Sequence, residues 1–237
     1  MNPLIPEYAM LNVQKFLEAA GSGLARVRFN AEGQGWTAAS WIEHNAARFR
    51  IRPEWLLDLL QKEQGLVLEP RTLLPDFSVT AAPAPPPDYK TPPRDVPATR
   101  YVRTRGGWFR VYGVWRMIAA TGAGIPDPGV EPPWSVGEYL GFAAQVYQAA
   151  RLTAKYIDSY NRAVMEQDAD KRAVTLYPTT DEIAKAKAEG RAPRGEVVLA
   201  KDVVTFARLN WTPSLEAAQV MADVHVSLAK RSAEFGA

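Results

Sequence analysis

Leu11, Val13, Phe16 and Leu17 recur at helical spacing, which predicts a short helix from about Met10 to Ala20 with Gly21 as its terminator. A glycine-rich stretch from Gly21 to Gly35 leads to Thr37, a suitable N-cap for a second helix carrying Trp41, Ile42 and Phe49 and ending near Arg50. A third helix is predicted from Pro53 to Gln64. Proline fits its first turn, Glu54 complements the helix dipole, and Gly65 offers the stop. Ser135 and Glu138 have capping-box spacing and open the longest predicted helix, through about Arg162, with Leu140, Ala143, Val146, Tyr147, Ala150 and Ala154 on its apolar side. A weaker segment from Thr180 to Ala188 ends at Gly190. After the apolar run Val203 to Leu209, Thr212-Pro213 reads as the cap and first turn of a last helix reaching about Arg231.

Between these stretches the periodicity changes. Residues 75–99 hold the runs Ala82-Pro83-Ala84-Pro85-Pro86-Pro87 and Thr91-Pro92-Pro93, which lack backbone donors and favour extended polyproline conformations. They predict an insertion loop or tether outside the core. In residues 100–116, Tyr101 to Arg105 and Trp108 to Tyr112 flank Gly106-Gly107, a two-residue hairpin signal. No fixed-period repeat is present. The whole predicts one domain over residues 1–237: mainly α, with one small β-hairpin and a proline-rich insertion.

Composition narrows the function classes. Hydrophobic residues make up 47% of the chain and charged residues 23%, the balance of a folded globular protein. A formal net charge of +2 gives no mandate for nucleic acid, although a mild basic excess suits an anionic polymer. Cysteine is absent, so thiolate metal sites and thiol nucleophiles are excluded. The two histidines, His44 and His225, stand alone, and a zinc site is not expected. No glycine-rich phosphate loop occurs, and no cofactor is expected. Neither an export signal nor a membrane span is predicted from the hydropathy of the chain.

One acid stands out. At about 100° per residue, the mean direction of Trp55, Leu56, Leu57, Leu59 and Leu60 lies within roughly 15° of Glu63. A carboxylate at the centre of an apolar face would lose water, and desolvation disfavours the charged form, which suits a proton donor. The plainer alternative is that Glu63, near a helix end, turns to solvent or pairs with an arginine such as Arg48 or Arg52.

The stretch Ile51 to Val67, with Leu59-Leu60-Gln61-Lys62-Glu63-Gln64-Gly65-Leu66, resembles the catalytic-helix segment of secreted bacterial proteins with a lysozyme-like, lytic-transglycosylase-like domain. Four further resemblances follow the same order. Asn12 to Leu17 with Gly21-Ser22 resembles the opening helix of those proteins, and Ala119 to Asp127 their glycine-containing turn. Gly141 to Ala150 resembles a later signature, and Asn210-Trp211-Thr212-Pro213 an aromatic-Thr-Pro element. The chain departs from them in lacking cysteines and an export signal, and in inserting about 40 residues between Glu63 and the glycine turn.

The resemblance implies a lysozyme-like α+β fold and cleavage of peptidoglycan glycan strands, with Glu63 as a single acid that donates and then accepts a proton. Glycosidases commonly use two carboxyls. Asp76, Asp127 and Glu138 are the weaker candidates for a second. Amides bind N-acetyl groups and aromatic faces pack on sugar rings, so Gln64, Gln145, Tyr147 and Trp211 are the substrate-binding candidates. Core packing is the alternative for Tyr147 and Trp211, and a satisfied helix-surface amide for Gln145. Arg103, Arg105, Trp108 and Arg110 either grip an anionic strand or lie on a solvated edge. A non-catalytic structural or binding component of a phage particle or secretion machine remains the competing expectation. Phage virion or tail proteins are its partners, and they also suit a wall-cleaving enzyme carried in the particle.

Overall fold

A computed structural model describes residues 11–104, 106–123 and 136–235. Helix α1 (Val13–Ala19) is capped by Asn12, whose side chain accepts from Lys15 N, and it buries Val13, Phe16 and Leu17. The glycine-rich stretch is not merely a loop. It contains an antiparallel hairpin of β1 (Arg28–Ala31) and β2 (Gln34–Thr37), with Phe29 opposite Trp36. Its turn, Glu32-Gly33, takes positive φ at both residues (48° and 76°). That is the backbone two-residue hairpins need, and a glutamate at the first position is not its usual signature.

Thr37 then caps α2 (Ala38–Arg48) in a reciprocal capping box with Ser40. Helix α3 (Pro53–Gln64) has proline in its first turn and ends on Gly65 at φ 64°. Trp55, Leu56, Leu57, Leu59 and Leu60 are all at most 3% exposed, so α3 is the central helix of the molecule. Burial of such a side chain contributes about 1.5–3 kcal/mol. The indole of Trp55 donates to Thr153 Oγ1 on α6 (Phe142–Met165) at 2.8 Å, which leaves no unmet donor in that packing.

The largest correction to the sequence reading concerns residues 75–99. Strand β3 (Phe77–Ala82) pairs with β5 (Gly107–Val114), which also pairs with β4 (Pro97–Thr104), giving a three-stranded antiparallel sheet in the order β3-β5-β4. The expected hairpin is present, and the proline-rich segment supplies its third strand. Val111, with Ile118 and Leu140, forms a small second core that Val79, Val102, Phe109 and Trp115 cover. The proline run itself lies against β4: Tyr89 OH donates to Thr99 O at 3.2 Å, and the Arg100 guanidinium donates to Pro92 O. Arg103 and Arg110 are exposed, and Arg105 lies outside the described residues.

After α4 (Trp115–Ile118), α5 (Val136–Tyr139) is separate from α6, where the sequence predicts one helix from Ser135. The break falls at Gly141, which takes φ 95° with the Phe77 ring packed so closely that any Cβ would collide with it. Ser135 lies outside the described residues. Further on, β6 (Ala173–Thr175) and β7 (Val197–Leu199) pair across an excursion that contains α7 (Thr180–Ala188).

Helix α8 (Val203–Trp211) is capped by Asp202, and α9 (Leu215–Phe235) is the last. Thr212 ends α8 instead of capping α9: its φ and ψ are extended and its N–H donates to Arg208 O. The protein is thus of mixed α+β class, largely helical with three small antiparallel sheets among its described residues. One cluster of buried residues runs from Val13 to Leu228, with α3 at its centre.

Candidate active site

Glu63 sits in the last turn of α3, where the left-handed Gly65 forces the chain to leave the helix. Its side chain is 25% exposed and its Oε1 pairs with Lys62 Nζ at 2.5 Å. The dry, isolated carboxylate expected from the helical wheel is therefore not what the fold builds. A wheel cannot show that the adjacent Lys62 curls back to the carboxylate. The Lys62 ammonium also donates to Thr212 Oγ1 at 3.0 Å, linking the end of α3 to the α8–α9 junction across 150 residues.

The other wall is the turn after α4. Gly122 takes φ 69°, a backbone that favours glycine, and a Cβ built on it would lie a tight 3.3 Å from Glu63 Oε2. Gln145 holds this turn from behind. It is fully buried, and its Oε1 accepts from Thr121 N at 3.1 Å while its Nε2 donates to Ala123 O at 2.9 Å and to Tyr139 O. Thr121 Oγ1 returns a bond to Gln145 O at 3.0 Å. A buried network with its groups satisfied in this way is rigid.

Arg116 fixes the helix end itself. Its guanidinium donates to Gln64 O at 2.7 Å and Gly65 O at 3.1 Å, satisfying carbonyls that the end of α3 leaves open, and it pairs with Glu69 at 2.6 Å. A cation at a helix C-terminus also meets the favourable end of the dipole. Glu69 in turn is hydrogen-bonded by Arg71, then by Arg116, and its carboxyl is lowered to about 2. Arg116, Thr121 and Lys62 are site residues that sequence reasoning passed over. Lys62 and Thr121 lie inside the quoted motifs without having been singled out, and only tertiary contacts reveal their role.

The substrate-binding candidates divide. Gln64 adjoins Glu63, and its Nε2 donates to Ala119 O at 3.1 Å while its buried Oε1 has no partner among the described residues. Trp211 directly precedes Thr212 and packs, partly buried, against the main core. Gln145 faces the interior with its amide fully used, so it positions the glycine turn and does not line a cleft. Tyr147 packs between α2 and α6, edge-on to Phe49 with centroids 5.3 Å apart and with the Arg48 guanidinium 5.2 Å from its ring centre.

Among the weaker acids, Asp76 lines a separate groove of about 450 Å3 beside Trp36 and Ser40, and the backbone carbonyl of Glu138 in α5 accepts from Gln148. Asp127 lies outside the described residues, and with it the end of the predicted glycine turn. Among the described residues no cluster of three or more acids or histidines could hold a metal ion, and no helix is long and apolar enough to cross a membrane.

Comparison of the chain with family models, with curated proteins and with solved structures finds no match.

Proposed function

We propose that the protein is a peptidoglycan-cleaving glycosidase with a lysozyme-like fold, in which Glu63 is the single general acid and base. One observation carries this reading. Three segments whose sequences resemble the lytic-transglycosylase-like family, far apart in the chain, meet at one carboxylate: Gly122 packs on Glu63, Gln145 in α6 pins the Gly122 turn, and Thr212 binds the lysine that pairs with Glu63. Only Lys62 bonds the acid directly, and the other residues hold the lysine and the turn beside it.

In this reading Oε1 is held by Lys62, and Oε2, on the Gly122 side, carries the proton to the departing glycosidic oxygen. The ammonium fixes the carboxyl rotamer, so the proton is presented in one direction. The same oxygen then takes a proton from the attacking hydroxyl, either of water or of the sugar. Gln64, next to the acid in α3, and Trp211, which precedes the Thr212 that binds Lys62, are the proposed contacts to an acetamido group and a ring face.

The Lys62–Glu63 ion pair itself favours a second reading, in which the carboxylate is a structural partner and the protein is a non-catalytic component of a phage particle or secretion machine. One assay separates them. Glu63→Gln should retain the circular dichroism spectrum and lose clearing of purified sacculi, and equal clearing by the variant would sink the enzymatic reading. Mass spectrometry of the digest then identifies the bond: anhydro-muramyl ends mark a transglycosylase, reducing N-acetylmuramic acid ends a muramidase, and reducing N-acetylglucosamine ends a glucosaminidase. Copurification with virions tests the particle association in either reading.

A further inference from the structure

A groove of about 780 Å3 opens where the β6–α7–β7 excursion meets the start of α9, and Tyr177, Arg194, Glu196, Leu215 and Glu216 lie on it. A short chain of bonds connects it to the Glu63 site. Tyr177 N donates to Pro213 O at 2.6 Å, and the preceding Thr212 accepts from Lys62, the partner of Glu63.

The groove is built on a fixed frame. Arg191 bridges Glu182 at 2.7 Å and Glu189 at 2.6 Å, and Glu182 Oε1 also accepts from Arg194 N at 3.1 Å. Gly195 closes its floor, because Leu176 O comes so near that no side chain fits there. With Arg191 and Glu182 spent on each other, three exposed charges are left over. The Arg194 guanidinium and the Glu196 and Glu216 carboxylates make no hydrogen bond or ion pair with any described residue. Beside them stand the 55% exposed ring of Tyr177 and the 56% exposed side chain of Leu215.

A neutral glycan has no use for unpaired charges of both signs, whereas a short peptide with free carboxylates and a free amine matches them. We propose that this groove binds the peptide stem that branches from a peptidoglycan strand, with Arg194 on a stem carboxylate and Glu196 and Glu216 around a diamino-acid amine. The inference rests on the glycosidase reading and names the part of the substrate that lies beyond the reacting sugar. It also gives the 168–200 excursion a task that the core does not need.

The test is calorimetric titration of the full chain with the synthetic tripeptide L-alanyl-γ-D-glutamyl-meso-diaminopimelate. Saturable one-to-one binding is expected, weakened roughly tenfold or more by Arg194→Glu, the loss of one charge-assisted contact and its replacement by repulsion. Acetylation of the diaminopimelate side-chain amine should weaken it as well, and added salt should do the same. Glu63→Gln should bind the tripeptide as the wild type does. Absence of binding, indifference to Arg194→Glu, or displacement of the tripeptide by an N-acetylglucosamine tetramer would each overturn the proposal. Sacculus clearing that depends on Glu63, without tripeptide binding, removes the groove alone. Tripeptide binding with clearing indifferent to Glu63 removes the catalytic reading alone.

Discussion

His225 on α9 and Asp58 on α3 form an ion pair at 2.8 Å whose two ends have unlike surroundings: the Asp58 side chain is 2% exposed and that of His225 is 46% exposed. Burial raises the Asp58 carboxyl, with the His225 hydrogen bond opposing, and the Asp58 hydrogen bond raises His225 against its own partial burial. Arg208 and Glu54 face both members, and Arg52 stands at the edge of the same small cavity. Both shifts have one sign. The folded pair therefore holds protons that the unfolded chain releases, and stability falls as pH rises across the windows in which the two states differ.

For His225 that window opens near the ordinary imidazole value of 6.5 and closes at its raised folded value. Its contribution is complete below 6.5 and is lost above the window. For Asp58 the window starts at 3.8. The half-exposed imidazole keeps the pair's contribution small, about 1 kcal/mol or less, as for other partly exposed ion pairs. In a chain of this size that is ~2–4 °C in Tm.

The perturbation is His225→Gln, which leaves Asp58 buried without its cation, and the assay is urea unfolding of wild type and variant from pH 5 to 9. The wild-type advantage should be greatest near pH 5.5 and shrink as pH passes upward through the histidine window. An advantage that stays constant with pH, or grows toward pH 9, would refute the assignment of α9 docking to this pair.

Two further substitutions probe the site's frame. Gly122→Ala must adopt a left-handed backbone at about 1–3 kcal/mol and brings a methyl to within 3.3 Å of Glu63 Oε2. Sacculus clearing should thus fall far more than Tm, and full activity would exclude Gly122 as a wall of the site. Arg116→Met removes two bonds to the end of α3 and the partner of Glu69, which keeps Arg71. A loss of about 2–4 kcal/mol is expected in chemical denaturation, and a change below about 0.5 kcal/mol, as at an unremarkable surface site, would dismiss the clamp.

What the sequence made legible was local. Thr37, Pro53 and Gly65 mark the helix boundaries they were expected to mark, because caps and φ preferences act within a few residues. What it hid depended on distant partners. Strand β3 reads as part of a proline-rich tether because Phe77–Ala82 has no clean alternation, yet β5 supplies its ladder and Phe77 its contact with Gly141. Asp58 is buried in α3 and paired by His225 on α9, a contact that no pattern along α3 announces. In the candidate site, Glu63 and Gln64 were legible from the helix and the resemblance. Gln145 was singled out for its amide, but the amide faces inward to Thr121, a direction no pattern along one helix can give.

That inward direction matters for how the site works. A glycine turn is soft by itself, and Gly122 at φ 69° has no side chain to hold it against Glu63. Gln145 removes the softness at the cost of one buried amide, each of whose two heavy atoms is hydrogen-bonded. At the opposite side Lys62 bonds both the acid and Thr212, so the acid's orientation depends on the α8–α9 junction. Glu63 is thus positioned by residues 119–123 and 212 together, from segments far apart in the chain. A loose arrangement would suffice for a structural ion pair, whereas proton transfer to a bound oxygen loses rate steeply with small misplacement. In the proposed role, support from two sides keeps that misplacement small.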